Sequence, residues 1–571
     1  MAGAYRPDQP LIVQADRTLL LEVDNPRYGQ CRDRLAAFAE LRKSPEHVHF
    51  YGITPLSLWN ACAAGVTVES VIDTLVEFSK YEIPPNVLAD VRDLMSRYGR
   101  LRLTSRGTML ALESDDPDLL QQVRRNPRIG PHLGESDGDD RSLVLPAERG
   151  RLKQALLKAG LPIEDLAGYA EGAPLSIALR DQDNSADRFA LRDYQWDAVD
   201  SFWAGGGPRG GSGVLVLPCG AGKTVIGLGV MARAACHTLI LCTSITAIRQ
   251  WQRELTQRTT VDPDAIGEYT GERKEILPVT LATYQVMTTR TKGRNGDPDV
   301  FPHLDLFMRQ DWGLIVYDEV HLLPAPVFRV TAEIQSRRRL GLTATLIRED
   351  GREDDVFSLI GPKKYDAPWK DLEAQGWIAP AVCTEIRVPM PRDLRLEYAS
   401  AEKRQQYRIA ATNPAKLLAM QALLERHRAD RVLVIGQYLD QLDDVADRLQ
   451  APLITGKTAS REREKLFGAF RRGEIGTLVV SKVANFAIDL PEANVAIELS
   501  GTFGSRQEEA QRLGRILRPK SDGGQAHFYA VVSHDTVDQG YSDHRQLFLT
   551  EQGYRYDIED FFPAPHLAVV Q

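Results

Sequence analysis

The stretch Leu217-Pro-Cys-Gly-Ala-Gly-Lys-Thr224 carries the chemistry of a phosphate cradle. Gly220 and Gly222 free backbone N–H groups to face phosphate oxygens at the start of a helix, where the helix dipole also favours anions. Lys223 offers a point charge to the β- and γ-phosphates of a nucleoside triphosphate, and the Thr224 hydroxyl can hold Mg²⁺. Leu217 stands where such loops usually begin with glycine, so only the second half of the general pattern is met, and a plain glycine-rich turn shares it. A second cluster, Asp318-Glu-Val-His321, follows the apolar run Leu314–Tyr317. That puts Asp318 at the carboxyl end of a buried strand, where open α/β sheets bind ligands. There Asp318 can hold Mg²⁺ through water, and Glu319 can orient and deprotonate the attacking water. Alone, such a cluster could be a solvated loop; with the phosphate cradle it predicts hydrolysis of a nucleoside triphosphate. The third piece is Gln511-Arg-Leu-Gly-Arg515-Ile-Leu-Arg518, whose arginines fall on one side of a helix. Forked, permanently charged guanidiniums suit a γ-phosphate, although a basic surface helix would look the same. Residues 505–520 hold five basic and two acidic side chains within a chain of net charge −8, a local reversal that favours an anionic partner.

Positioning these groups requires buried parallel sheets. From about Phe189, short unalternating apolar runs are separated by helix-length spacers: Val214–Leu217, Thr238–Leu241, Thr280–Ala282, Leu314–Tyr317 and Arg339–Leu342. A second series is Val432–Ile435, Pro452–Ile454, Thr477–Val480, Val495–Ile497 and His527–Val532. Strands of this kind are covered on both faces, so two series predict two α/β lobes. Ahead of them, helices are expected after Thr54-Pro55, through Val71, Leu75 and Phe78, and after Pro84-Pro85. The runs 100–104 and 108–112 read as a hairpin, and together these suggest a winged-helix-like module. Gly134–Asp140 is acidic and reads as a linker, followed by a helix at Leu152–Leu157 and a strand at Pro174–Leu179. The expected division is 1–132 (accessory module), 133–185 (linker and small αβ segment), 186–365 (ATP-binding lobe 1), 366–545 (lobe 2) and 546–571 (tail). At 571 residues, 43% hydrophobic and 26% charged, this is an ordinary globular composition. No apolar run approaches the ~20 residues of a membrane span, and the start lacks a secretory pattern, so a cytoplasmic location without membrane is expected. Six scattered cysteines with no C-x-x-C pair exclude a zinc ribbon or iron–sulfur cluster. The acidic balance excludes coating of nucleic acid by bulk charge.

In order and wording, these blocks resemble the XPB-type superfamily 2 DNA helicases in their prokaryotic form. The resemblance rests on Leu191-Arg-Asp-Tyr-Gln195, Cys242-Thr-Ser-Ile-Thr-Ala-Ile-Arg-Gln-Trp251, Ala282-Thr-Tyr-Gln285, the DEVH cluster and Gly341-Leu-Thr-Ala-Thr345. It continues in Arg348-Glu-Asp350, Ile360-Gly-Pro-Lys363, Gly376-Trp-Ile-Ala379, Ser481 to Asn494 and Arg506 to Arg518. It is specific over about 189–535 and looser over 1–180. It implies two RecA-like lobes forming a helicase core behind an α+β N-terminal domain, with ATP and Mg²⁺ as cofactors and 3′→5′ action on DNA in nucleotide excision repair. It further implies that Gln195 reads adenine, Asp489 lies near the ribose, and Arg515 and Arg518 grip the γ-phosphate when the lobes close. Thr243, Ser244 and Ser481 would touch the DNA backbone, Arg348 would help open the duplex, and a nuclease is the implied partner. Arg352-Glu-Asp354 repeats the Arg348 triplet, which simple surface composition would also produce. Gly436-Gln-Tyr438 departs from the eukaryotic wording, and the long eukaryotic extensions are missing.

Three rivals stay open at this point: an RNA helicase, a duplex translocase without net unwinding, and a non-enzymatic DNA-binding module. For the N-terminal domain, DNA contact and protein docking are both open. Arg124, Arg125 and Arg128 form a basic cluster there, and Arg337–Arg339 reads as a solvated helix end.

Overall fold

The computed structural model describes residues 5–45, 47–181, 189–218, 220–291, 301–334, 337–344, 353–367, 369–481, 493–501 and 525–562. Two compact units result: Met1–Glu40, Phe50–Leu217 and Gly222–Ala367 in the first, Leu41–His49, Pro218–Ala221 and Pro368–Gln571 in the second.

The first unit contains a seven-stranded sheet, all parallel, in the order Ile266–Tyr269, Val279–Thr283, Thr238–Cys242, Leu314–Asp318, Arg338–Thr343, Ser212–Val216, Lys363–Asp366. The strands Ser212–Val216, Thr238–Cys242 and Val279–Thr283 are buried at every position. That is the pattern of a sheet covered by helices on both faces, and it matches the apolar runs in the sequence. One consequence of the strand order is functional. Leu314–Asp318, Arg338–Thr343 and Ser212–Val216 are neighbours, so their carboxyl ends gather the DEVH cluster, Thr343 and the approach to Lys223 at one edge.

The second unit repeats the architecture: Leu453–Ile454, Thr477–Ser481, Val432–Gly436, Val495–Glu498, Ala526–Ser533, Ala381–Val388 and Tyr556–Asp560, again all parallel. Its core includes Val434, Leu442, Val479, Ile497 and Val531. Residues 546–562, expected as a tail, are folded into this unit. Helix Val537–Glu551 is followed by a strand that pairs with Ala381–Val388, and Tyr554 is buried.

Before the first lobe, helices Pro55–Ala63, Val68–Phe78 and Pro85–Ser96 form as expected. Thr54 caps the first reciprocally with Ser57: its hydroxyl accepts from the Ser57 N–H at 3.0 Å, and the Ser57 hydroxyl accepts from the Thr54 N–H at 3.0 Å. An antiparallel pair, Leu11–Val13 with Thr18–Glu22, precedes them. The expected hairpin is present as Leu101–Arg106 and Met109–Glu113. Rather than a wing, it is the centre of a four-stranded sheet ordered Arg141–Val144, Met109–Glu113, Leu101–Arg106, Ile163–Asp165.

That sheet corrects the expected linker. Gly134 N–H donates to the Leu143 carbonyl at 2.7 Å and Leu143 N–H to Glu135 at 2.9 Å, so the acidic segment turns back on its own sheet and no boundary falls at 132. The expected strand at Pro174–Leu179 reduces to isolated bridges, Pro174 to Cys236 and Leu179 to Thr259. Arg337–Arg339 is not a solvated helix end either. Arg338 opens a strand, Arg339 is fully buried, and Arg337 pairs with Asp311 at 2.6 Å. Arg124 is drawn inward too, donating to the Ser142 hydroxyl and the Arg141 carbonyl, each at 2.6 Å. No helix among the described residues is long and apolar enough to cross a membrane.

Candidate active site

Leu217 N–H donates to the Thr343 carbonyl at 2.9 Å, carrying the chain from its strand to the turn. Gly220 and Gly222 have φ of 86° and 80°, left-handed values that glycine adopts without penalty. Gly222 caps helix Lys223–Ala234, which sets Lys223 and Thr224 at its first two positions. The turn is tightly packed too: a Cβ on Gly222 would meet the Gln195 amide nitrogen at 2.6 Å. Gln195 is therefore buried against this turn, while its side-chain oxygen accepts from the Arg192 N–H at 3.0 Å.

Lys223 Nζ lies 2.8 Å from Glu319 Oε1, joining the two clusters that lie far apart in the sequence. Glu319 itself has φ of 51°, an uncommon value for a residue with a side chain and one that gathers at functional sites. Burial pushes its carboxyl up, but the opposing pull of Lys223, then of His321, leaves it below the usual range. Its neighbour goes the other way. Burial, then the adjacent Glu319 charge, raises the Asp318 carboxyl above the ordinary range. Two adjoining carboxyls with opposite shifts differentiate their roles.

Trp251 was present in the sequence only as the last letter of a motif. Its indole Nε1 donates to Asp318 Oδ2 at 3.0 Å. A Cβ on Gly227 of the Lys223 helix would meet the same indole at 2.4 Å, so the ring is held between that helix and the carboxylate. Trp251 lies on helix Ile245–Arg258, whose N-cap is Ser244; the Ser244 hydroxyl accepts from the Ala247 N–H at 3.2 Å. The Tyr284 hydroxyl donates to the Asp318 carbonyl at 3.1 Å, and His321 Nδ1 sits 2.7 Å from the Thr343 hydroxyl. Only long-range geometry exposes these contacts. A Trp251→Phe variant keeps most of the apolar bulk and deletes one hydrogen bond to a buried carboxylate, worth about 1.5–3 kcal/mol. Steady-state ATP hydrolysis should fall roughly tenfold while the protein stays folded, its unfolding temperature lowered by no more than about ten degrees; an unchanged rate would remove Trp251 from the site.

Thr243 follows the end of strand Thr238–Cys242 and is half-buried. Ser481 ends strand Thr477–Ser481 in the second unit and is buried. Arg348, Asp489, Arg515 and Arg518 lie outside the described residues, as do Thr345 and both triplets' arginines.

Three family models match the chain. Residues 372–561 match the ERCC3/RAD25/XPB C-terminal helicase, 188–348 the type III restriction enzyme res subunit, and 11–136 a helicase conserved C-terminal domain. The DNA 3′-5′ helicase XPB of Kineococcus radiotolerans is 60% identical over 554 residues, covering 97% of each chain. That of Mycobacterium tuberculosis is 59% identical, covering 97% of this chain and 98% of its own. The general transcription and DNA repair factor IIH helicase/translocase subunit XPB/SSL2 of Saccharomyces cerevisiae is 31% identical, covering 97% and 73%. With identity of this order running through both parallel-sheet lobes and the module before them, the chain belongs to the XPB family of superfamily 2 helicases, in its prokaryotic form.

Proposed function

We propose that this chain is an ATP-dependent 3′→5′ DNA helicase that couples ATP hydrolysis to duplex opening in DNA repair, working at the nucleoid with a nuclease. The observation that carries the reading is the Lys223–Glu319 contact beside the Trp251–Asp318 hydrogen bond, at the carboxyl edge of a parallel sheet. The names of the bacterial relatives supply direction and substrate.

The chemistry follows from the pairing. Lys223 and Glu319 neutralise one another at 2.8 Å. An incoming γ-phosphate competes for the ammonium and releases the Glu319 carboxylate, whose basicity rises as Lys223 withdraws, so that it can orient the attacking water and take its proton. A buried carboxyl beside a second one fits a divalent cation, so Thr224 and Asp318, both hard oxygen donors, would hold Mg²⁺, which supplies charge neutralisation on the phosphates. Gln195, packed on the turn beside Lys223, would sit at the adenine and Asp489 at the ribose. Arg515 and Arg518 would grip the γ-phosphate, making closure depend on the nucleotide. Thr243, Ser244 and Ser481 would hold the DNA backbone, with Arg348 at the opening strand.

Strand displacement on 3′-tailed and 5′-tailed duplexes, with a Glu319→Gln control and a matched RNA arm, tests this. The 3′-tailed DNA should be opened and the 5′-tailed left closed. ATP hydrolysis on DNA without displacement would turn the reading to a translocase, and stimulation by RNA alone would turn it to an RNA helicase.

A further inference from the structure

A cavity of about 400 Å³ lies within the first unit, where three parts of the chain meet: the N-terminal helices near Cys62, the segment Lys153–Tyr169, and the beginnings of the strands Ser212–Val216 and Lys363–Asp366. That volume is within the ordinary range for a small-molecule site. Ser212 opens the strand whose carboxyl end leads to Lys223, so this cavity belongs to the amino edge of the sheet, away from the ATP-binding residues.

The surrounding charges are predominantly positive. Arg149 and Lys153 both bind Asp165, at 2.7 Å and 3.0 Å, and all three are buried or nearly so. Fully buried Arg339 donates to the Leu359 carbonyl at 2.6 Å and the Ser212 hydroxyl at 3.1 Å. At the outer wall Arg209 engages Glu164 at 2.8 Å. Lys364 donates instead to a neutral group, the Arg209 carbonyl, at 2.9 Å. Gly213 makes room for this lysine, because a Cβ there would meet Lys364 Cγ at 2.4 Å. Lys153, Arg209 and Lys364 thus line the cavity with two carboxylates, Glu164 and Asp165, both already engaged, while Arg149 and Arg339 add positive charge behind that wall.

The titratable groups sense that balance. Burial, with Arg339 and Arg149 opposing the help of Asp165, lowers the Lys153 ammonium to about 8. Burial and then Arg209 lower Lys364. Burial raises the Cys62 thiol to about 11 and the Tyr98 hydroxyl still higher, so neither adds negative charge near neutral pH. An anion entering here would relieve the mutual repulsion of the cations.

We propose that this cavity is a binding site for a small organic phosphate, held by Lys364, Arg209 and Lys153 and separate from the ATP site. Phosphate suits the arrangement because two ammonium groups and one guanidinium can share its several oxygens. Its occupant would tie the N-terminal helices to the ATP-binding lobe next to an existing link, the Lys363 N–H donating to Asn60 Oδ1 at 3.1 Å.

Equilibrium dialysis of the full-length protein with ribose 5-phosphate, in magnesium-free buffer at matched ionic strength, tests the assignment. Saturable binding of one molecule per chain is expected in the wild type and in Lys223→Ala. Lys364→Ala should bind roughly ten- to a hundredfold more weakly, the worth of one hydrogen bond to a charged group, and Lys364→Arg should recover most of the affinity. Equal affinity for inorganic phosphate would uphold the site with free phosphate as its occupant. The proposal is overturned if ribose binds as well as its phosphate, if Lys364→Ala binds normally while folded, if Lys223→Ala abolishes binding, or if duplex DNA displaces the probe.

Discussion

A Glu319→Gln protein will bind ATP as the wild type does and hydrolyse it about a hundred- to ten-thousandfold more slowly, the range expected for loss of a general base. The amide has nearly the same shape as the carboxylate, so the left-handed backbone at this position and the hydrogen bond of Trp251 to Asp318 are kept. What disappears is the ability to accept a proton from water. The wild-type carboxyl starts out ionised, because Lys223 and His321 outweigh its burial, and it gains basicity once the phosphate draws Lys223 away. Single-turnover hydrolysis with DNA, alongside nucleotide binding by fluorescence, separates the two effects. A loss of less than about threefold would assign the water to another group.

The largest effect on stability is expected in the second unit. Lys416 and Asp538 form an ion pair at 2.6 Å with the two side chains 0% and 1% exposed. Lys416 also donates to the Leu499 carbonyl at 2.7 Å, and Asp538 Oδ2 accepts from the Ser533 N–H at 3.1 Å. Lys416→Met strands a carboxylate in the core, at a cost of about 3–5 kcal/mol. Adding Asp538→Asn should recover much of it, since the pair is destabilising chiefly when one charge is left alone. Urea unfolding of the single and double variants measures the coupling; equal destabilisation by both would show that lost packing, not stranded charge, sets the cost.

Central strands are legible because burial on both faces requires continuous apolar sequence; each of the ten runs overlaps an observed strand, Val214–Leu217 and Pro452–Ile454 overrunning theirs by one residue and the latter marking an edge strand. The four missed strands of the lobes lack that signature. Lys363–Asp366 and Tyr556–Asp560 are edge strands with polar sequences, Ile266–Tyr269 is a short edge strand, and Ala381–Val388 interrupts its apolar residues with Thr384, Glu385 and Arg387. Glu385 and Arg387 are satisfied by polar partners: Glu385 accepts from the Ser542 hydroxyl at 3.0 Å and from Arg387 of its own strand at 2.8 Å.

The same division holds at the site. Lys223 and the DEVH carboxylates announce themselves through local spacing, whereas Trp251 is identified by a hydrogen bond to a residue in a different element. Ser244 shows the converse. Its motif suggests a DNA contact, and its visible duty is to cap a helix. The segment Gly134–Asp140 misled for a related reason, since acidic, glycine-bearing sequence serves a tight return of the chain as well as a linker.

The position of the final strand bears on how the protein is made. Ala381–Val388 is the first strand of its lobe to leave the ribosome, yet its partners are Ala526–Ser533 and Tyr556–Asp560. At about 5–20 residues per second, it waits roughly ten to thirty seconds for them. During that interval a nascent chain exposes Ile386 and Val388, residues destined for the core. A stop codon placed before Tyr556 would leave that edge of Ala381–Val388 without its partner and open to aggregation.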